Sequence, residues 1–303
     1  MQQQLQAELA DRYDFQGEVG RGAMATIYRV HDRKHDRAVA VKVLDPVLAA
    51  TMGPTRFLRE IRLAARLQHP HILPVYDSGE TTGFLWFTMP YVDGESLRDL
   101  LTREKQLTTG QALAIAAEVA EALDYAHRHG VLHRDIKPDN IMLTEGHALV
   151  ADFGVARPAD LSSDMQITGP GLVVGTPAYM APEQAMGDPI DARADLYALG
   201  MVIYEMLAGD LPMPESTSEL LEVKRLSGEQ VTLPPLGPGI PNSVKKLVRK
   251  ALAPAREDRY QSGAEFSLHL RRVLAGLGPA KTPTGGLRGT LTAWYRFFLS
   301  RLS

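Results

Sequence analysis

From Tyr13 to Tyr91 the apolar residues fall in short alternating or continuous runs bounded by glycine, aspartate and proline, the pattern of β-strands. Glu18–Val30 reads as a strand, a glycine turn and a second strand. Ala38–Leu44 is apolar and β-branched, interrupted by Lys42 alone, and predicts a buried strand. Two more strands are expected near Ile72–Tyr76 and Phe84–Met89. One helix intervenes: Phe57, Leu58, Ile61, Ala64, Ala65 and Leu67 recur at helical spacing between arginines and Glu60, and His69-Pro70 stops it. Residues 1 to about 12 read as a short polar helix or a frayed end.

After Tyr91-Val92-Asp93-Gly94 the texture turns helical. Gln111–Arg128 is alanine-rich and periodic, with Gly130 placed to cap it. Several helices follow Asp188, the longest over Asp195–Ala208, and others are expected over Ser243–Leu252 and Ser262–Ala275. The proline-rich stretch Leu233–Pro241 predicts a loop. Gly276–Gly289 has linker composition, and Thr290–Leu302 is amphipathic, with Trp294, Tyr295, Phe298 and Leu302 on one face. The domain reading is therefore a polar extension at 1–12, a two-lobed body at 13–275 (lobes 13–91 and 94–275), and a linker with a basic-aromatic tail at 276–303.

Composition narrows the field. A formal net charge of −3 over 303 residues offers no long-range positive field, so nucleic acid is not the expected partner. The absence of cysteine excludes disulfides and thiolate metal sites. The first residues lack the basic and apolar regions of a signal peptide, and no apolar run approaches the roughly 18 residues of a membrane span. A cytoplasmic location is expected, with two further arrangements open: a tail lying on a membrane surface, or a chain continuing into a membrane anchor.

The densest chemistry is the string His133-Arg134-Asp135-Ile136-Lys137-Pro138-Asp139-Asn140, followed by Asp152-Phe153-Gly154. Carboxylate and amide oxygens hold Mg²⁺, a carboxylate accepts a hydroxyl proton, and a cation steadies a phosphoryl group in flight. A charged surface turn between two strands would account for any three of these residues, but not for the whole string. Gly20-x-Gly22-x-x-Ala25 sits between strands, which argues against a dinucleotide site and for close backbone approach to phosphates. Lys42 in an apolar strand needs a partner, and Glu60 or a triphosphate would serve.

With these residues in view, the chain from about Tyr13 to about Leu274 resembles the eukaryotic-like bacterial serine/threonine protein kinases. The resemblance implies an α+β fold: a small antiparallel β-sheet lobe with one main helix, and a larger, mainly helical lobe. It implies ATP with Mg²⁺ (or Mn²⁺) and protein Ser/Thr hydroxyls as substrates. Lys42 would contact the α- and β-phosphates and pair with Glu60. Asp135 would accept the substrate proton, Lys137 would follow the γ-phosphate, and Asn140 and Asp152 would hold the metal. Val19, Gly20 and Gly22 would border the nucleotide. Ile27 and Ala40 would cover the adenine from above, Met142 from below and Met89 behind. The Pro90 carbonyl and the Val92 N–H would read its edge. Pro90 departs from the acidic residue common in the family, yet a proline still accepts a hydrogen bond.

The same resemblance makes residues 152–183 an activation segment. Thr176 would hydrogen-bond Asp135 and Lys137, an arrangement of Ser/Thr-specific members. Glu183 would pair with Arg259, and Asp195 would brace the backbone at His133 and Arg134. Phosphorylation of Thr168, with Ser162 and Ser163 as the alternatives, would meet Arg134 and order the segment. Small-lobe self-association is a further implication. Two other readings compete: a pseudokinase acting as an ATP-binding scaffold, weakened by the presence of Lys42, Asp135, Asn140 and Asp152, and a small-molecule kinase, weakened by Gly175-Thr176-Pro177-Ala178-Tyr179-Met180-Ala181-Pro182-Glu183.

Overall fold

The computed structural model describes residues 2–22, 24–81, 83–153, 177–211 and 234–277. Five strands form the small lobe: β1 (Tyr13–Arg21), β2 (Ala25–Asp32), β3 (Arg37–Leu44), β4 (Asp77–Thr81) and β5 (Phe84–Pro90), ordered β1-β2-β3-β5-β4 with every pair antiparallel. The two-residue period of β3 sorts its side chains between two cores. Val39, Val41 and Val43 enter an outer cluster with Tyr28, Val30, Phe84 and Trp86, while Ala40 and Leu44 join the main core with Leu85, Phe87 and Met89. Lys42 thus shares the inner face with Ala40.

The outer face is closed by α1 (Gln2–Leu9), whose Leu5 and Leu9 are buried against it. Of the two expectations for the N-terminus, the short helix is the one that forms, and it is packed rather than frayed. Its two leucines lie four residues apart, on one face. This lid is why β3 is apolar on both faces.

The helix expected over residues 57–67 is α3 (Pro54–Ala64), with Phe57, Ile61 and Ala64 buried. A short α2 (Pro46–Met52) precedes it, N-capped by Asp45, and Gly53 at φ 72° breaks the two apart. The strand expected near Ile72–Tyr76 is not a ladder strand. Ile72 makes one parallel bridge to Val150, and β4 begins at Asp77. Ile72 is apolar because it packs in the core, whereas the polar β4 is set by its backbone pairing with β5.

The larger lobe is built on α5 (Thr109–Arg128), which begins at a Thr108–Gln111 capping box and ends where Gly130 turns at φ 75°. It is preceded by α4 (Leu97–Glu104) and followed by α6 (Pro182–Met186), α7 (Ala192–Ala208), α8 (Asn242–Ala251) and α9 (Gly263–Gly276). Asp195 lies in the first turn of α7, which starts three residues earlier than expected, capped by Asp191. A Cβ at Gly263 would meet the Ala120 carbonyl at 2.5 Å and the Asp124 nitrogen at 2.7 Å, so α9 touches the α5 backbone there. Between α4 and α5 on one side and the cleft on the other lies a small antiparallel sheet, β6 (Glu95–Ser96), β7 (Ile141–Thr144) and β8 (His147–Val150), in the order β6-β7-β8. The α+β, two-lobed expectation holds. Residues 234–240 form the expected loop, while 278–303, including the whole predicted tail helix, lie outside the described residues.

Candidate active site

The loop Val131–Asn140 between α5 and β7 is held in place by buried polar partners. Asp195, 2 % exposed, accepts hydrogen bonds from the His133 and Arg134 backbone N–H groups (2.8 and 2.7 Å) and from His127 Nε2 (2.8 Å). Burial pushes its carboxyl up, but these donors and the neighbouring histidines outweigh burial and hold it below the usual carboxylate range. Arg134 sits at φ 68°, a left-handed conformation that a non-glycine residue keeps only when its surroundings impose it. Its N–H goes to Asp195, and its carbonyl accepts from Gln184 Nε2 of α6 (2.8 Å).

His133 ties this loop to the strand end beyond β8. Its Nε2 donates to the Ala151 carbonyl (2.8 Å), its Nδ1 accepts from the Asp135 N–H (3.2 Å), and its ring stands edge-on to Phe153 with centroids 4.8 Å apart. Asp135 and Lys137 form an ion pair at 2.9 Å. Asn140 Nδ2 donates to the Asp135 carbonyl (2.8 Å) and carboxylate (3.2 Å), so oxygen is what this amide has left to offer. Asp135, Lys137 and Asn140 therefore form one connected group.

Asp152, at φ 66°, faces Lys42 across the cleft, Nζ to Oδ2 2.5 Å, with the two side chains 15 % and 13 % exposed. This corrects the expected Lys42–Glu60 pair. Glu60 is half-buried on α3, and no ion pair joins it to Lys42. A lysine that is mostly buried takes the carboxylate available inside the cleft, and Asp152 is that carboxylate. The other carboxylate oxygen, Oδ1, is buried and has no hydrogen-bond partner among the described residues. An orphaned carboxylate oxygen, with the oxygen of Asn140 as a second donor, fits a hard divalent cation.

The adenine-side residues occupy both lobes. Ala40 pairs with Met89 and Ile27 with Lys42 in the upper sheet, and Ile27 packs on the main core. Pro90 ends β5, Val92 follows half-buried, and Met142 lies half-buried on β7. Val19, Gly20 and Gly22 stand at the β1–β2 turn. Val19 is 49 % exposed, a Cβ at Gly20 would meet nothing within 4 Å, and Gly22 donates to the Ala25 carbonyl (2.9 Å). That open backbone leaves room for an approaching phosphate. Behind the cleft a small apolar cavity opens between Ala64, Ile72, Leu73, Phe87, Met89 and Phe153, with Asp152 in its wall. Thr176 and Thr168 lie outside the described residues.

Below the loop, Glu183 of α6 meets Arg259, whose side chain is fully buried, in a bidentate pair (2.7 and 2.8 Å). The tether from Gln184 to Arg134 and the Lys42–Asp152 contact have no signature in the sequence pattern, because both depend on residues 50 and 110 positions apart.

A cluster of carboxylates, lysines and an amide between a β-sheet lobe and a helical lobe is the arrangement of a protein kinase, and comparison with known proteins agrees. The family model described as "Protein kinase domain" matches residues 13–268, and the chain belongs to the protein kinase family. Its kinship is with bacterial serine/threonine kinases. It is 39% identical over 277 residues to serine/threonine-protein kinase PknB of Mycobacterium leprae (89% of this chain, 44% of the relative). It is 39% identical over 279 residues to PknB of Mycobacterium tuberculosis strain H37Rv (90% and 44%). It is 38% identical over 274 residues to the probable serine/threonine-protein kinase SCO3848 of Streptomyces coelicolor (88% and 41%). The chain thus spans less than half the length of these relatives. Among the described residues no helix is long and apolar enough to cross a membrane.

Proposed function

We propose that this chain transfers the γ-phosphoryl group of ATP to serine and threonine hydroxyls of proteins in bacterial signalling. The observation that carries the reading is the connected group Asp135–Lys137–Asn140 together with an Asp152 whose second oxygen is buried without a hydrogen-bond partner among the described residues. Asp135 takes the hydroxyl proton as the new oxygen–phosphorus bond forms and the bond to the β-phosphate oxygen breaks, releasing ADP. Lys137 stabilises charge on the transferred group. Asn140 and Asp152 would hold Mg²⁺ (or Mn²⁺), which when bound supplies charge neutralisation at the phosphates. Lys42 exchanges Asp152 for the α- and β-phosphates. Met89, Pro90, Val92, Ile27, Ala40 and Met142 receive the adenine, with Val19, Gly20 and Gly22 over the phosphates. Residues 13–275 form the catalytic unit, which self-associates through its small lobe.

Thr176 directs Asp135 toward a protein hydroxyl, and Thr168 is the site of autophosphorylation. Arg134 Nε is buried without a hydrogen-bond partner among the described residues, which supports a phosphate arriving there. Radiolabelled ATP and a generic basic protein, with wild type set against Asp135→Asn, test the reading. Label transfer should fall by orders of magnitude in the variant, and transfer no greater than that of the variant overturns it. Phosphosite mapping after incubation with Mg-ATP should find phosphate within residues 161–176, and its absence there removes the Thr168 assignment.

A further inference from the structure

Where residues 71–73 meet β8 and α5, three side chains that phosphoryl transfer does not use converge. Glu118 lies in the middle of α5, its side chain 3 % exposed, among Ile115, Ala117 and Val119, which are all buried. Its Oε1 is 2.9 Å from His147 Nδ1, and its Oε2 accepts from the Ala148 N–H (2.7 Å) and lies 3.7 Å from His71 Nδ1. The His71 and His147 rings are 5.9 Å apart, and one ligating atom from each of the three residues lies within 4.8 Å of the other two.

A carboxylate inside an apolar helix face is costly unless its charge is compensated. Here one backbone N–H and the two imidazoles face that charge. Two imidazoles and one carboxylate are the donor set of zinc-class ions, whereas Mg²⁺ and Ca²⁺ prefer oxygen alone. Metal–ligand bonds of about 2.0–2.1 Å at tetrahedral angles put ligand atoms about 3.3 Å apart. Here His147 Nδ1 lies 2.9 Å from one Glu118 oxygen and His71 Nδ1 3.7 Å from the other, and with one atom from each residue the set lies within 4.8 Å, so side-chain rotation must draw it in around a metal. His71 Nδ1 now lies 3.0 Å from the Ala148 carbonyl and would exchange that bond for the metal. The Ala148 N–H already orients Glu118, as outer partners do at metal sites. His147, 37 % exposed, leaves a route in from solvent and room for water as a fourth ligand.

We propose that His71, Glu118 and His147 form a binding site for a divalent transition metal of the zinc class, separate from the phosphoryl-transfer centre. Its occupancy would cross-link three elements. The His71 carbonyl accepts from Val150 N–H (2.9 Å), Leu73 N–H donates to the Val150 carbonyl (2.9 Å), and Glu118 anchors the start of β8 to α5. Strand β8 ends two residues before Asp152, so the metal would stiffen the strand that carries this carboxylate.

Cobalt(II) is the probe. The full chain, freed of metal by chelation and kept in excess Mg²⁺ to occupy oxygen-only sites, is titrated with Co²⁺. One equivalent should bind with the visible absorption of a four- or five-coordinate site, and Zn²⁺ should bleach it and raise the thermal midpoint. His147→Ala removes a half-exposed ligand and His71→Gln a second one. Each should weaken binding at least about 10–100-fold while the metal-free unfolding transition remains cooperative. Lack of uptake in wild type, or absorption and Zn²⁺ stabilisation unchanged in both variants, overturns the proposal and leaves Glu118 as a carboxylate satisfied by His147 and Ala148 alone.

Discussion

Replacing Arg259 by methionine probes the anchor beneath the catalytic loop. Its guanidinium places its donors on five acceptors. Two are the Glu183 carboxylate oxygens (2.7 and 2.8 Å), two are the Ala253 and Pro254 carbonyls (2.8 Å each), and the last is the Arg193 carbonyl at 3.4 Å. Methionine fills comparable space, so the loss is chiefly polar. It leaves Glu183, 7 % exposed, as a buried carboxylate without its counter-ion. Removing one partner of a buried pair costs about 3–5 kcal/mol, and Arg259→Met should lose that much in urea unfolding at unchanged slope. Adding Glu183→Gln to Arg259→Met should restore part of the loss, because a neutral amide is far cheaper to bury than a lone carboxylate. Catalysis should suffer as well: Glu183 fixes α6, and the next residue, Gln184, holds the Arg134 carbonyl beside Asp135. A loss below about 1 kcal/mol, or a double variant less stable than the single one, refutes this account.

Gly263→Ala should destabilise the protein by about 1–3 kcal/mol, read by thermal denaturation, since the added carbon would meet α5 backbone rather than a movable side chain. Leu5→Ala should lose about 2–5 kcal/mol by opening the outer face of the small-lobe sheet, which a merely frayed N-terminus would not do. Burial, and then the neighbouring His71, hold His69 below the usual histidine range. Its contribution is therefore present above about pH 6.5 and is lost as pH falls through its lower folded value. Urea unfolding between pH 7 and 5 should decline less steeply in His69→Gln than in wild type, and equal slopes would count against the assignment.

Much of the site was legible in the chain because its chemistry is local. Asp135, Lys137 and Asn140 lie within six residues, and a short loop delivers them to one place with little help from elsewhere. Apolar period located β3, β5, α3 and α5, since each buries a face whose spacing is the element's own repeat. The same signal misled at Ile72–Tyr76, where apolar character reflects core packing rather than a ladder, and it was silent for the polar edge strand β4. It overlooked α2 despite the Asp45-Pro46 start signal, because the helix is only seven residues long.

By itself, the sequence determined which residues can do phosphoryl-transfer chemistry and which elements carry them. Tertiary structure alone decided which carboxylate Lys42 meets: the sequence reading offered Glu60, and Asp152 is the one that reaches the buried ammonium. It alone closed the outer sheet face with α1, since two leucines in a polar dozen residues declare nothing until a sheet receives them. It alone gathered His71, Glu118 and His147, each unremarked in its own stretch of chain, around one point: a helix interior, a hairpin turn and a loop meet there only when the core has formed.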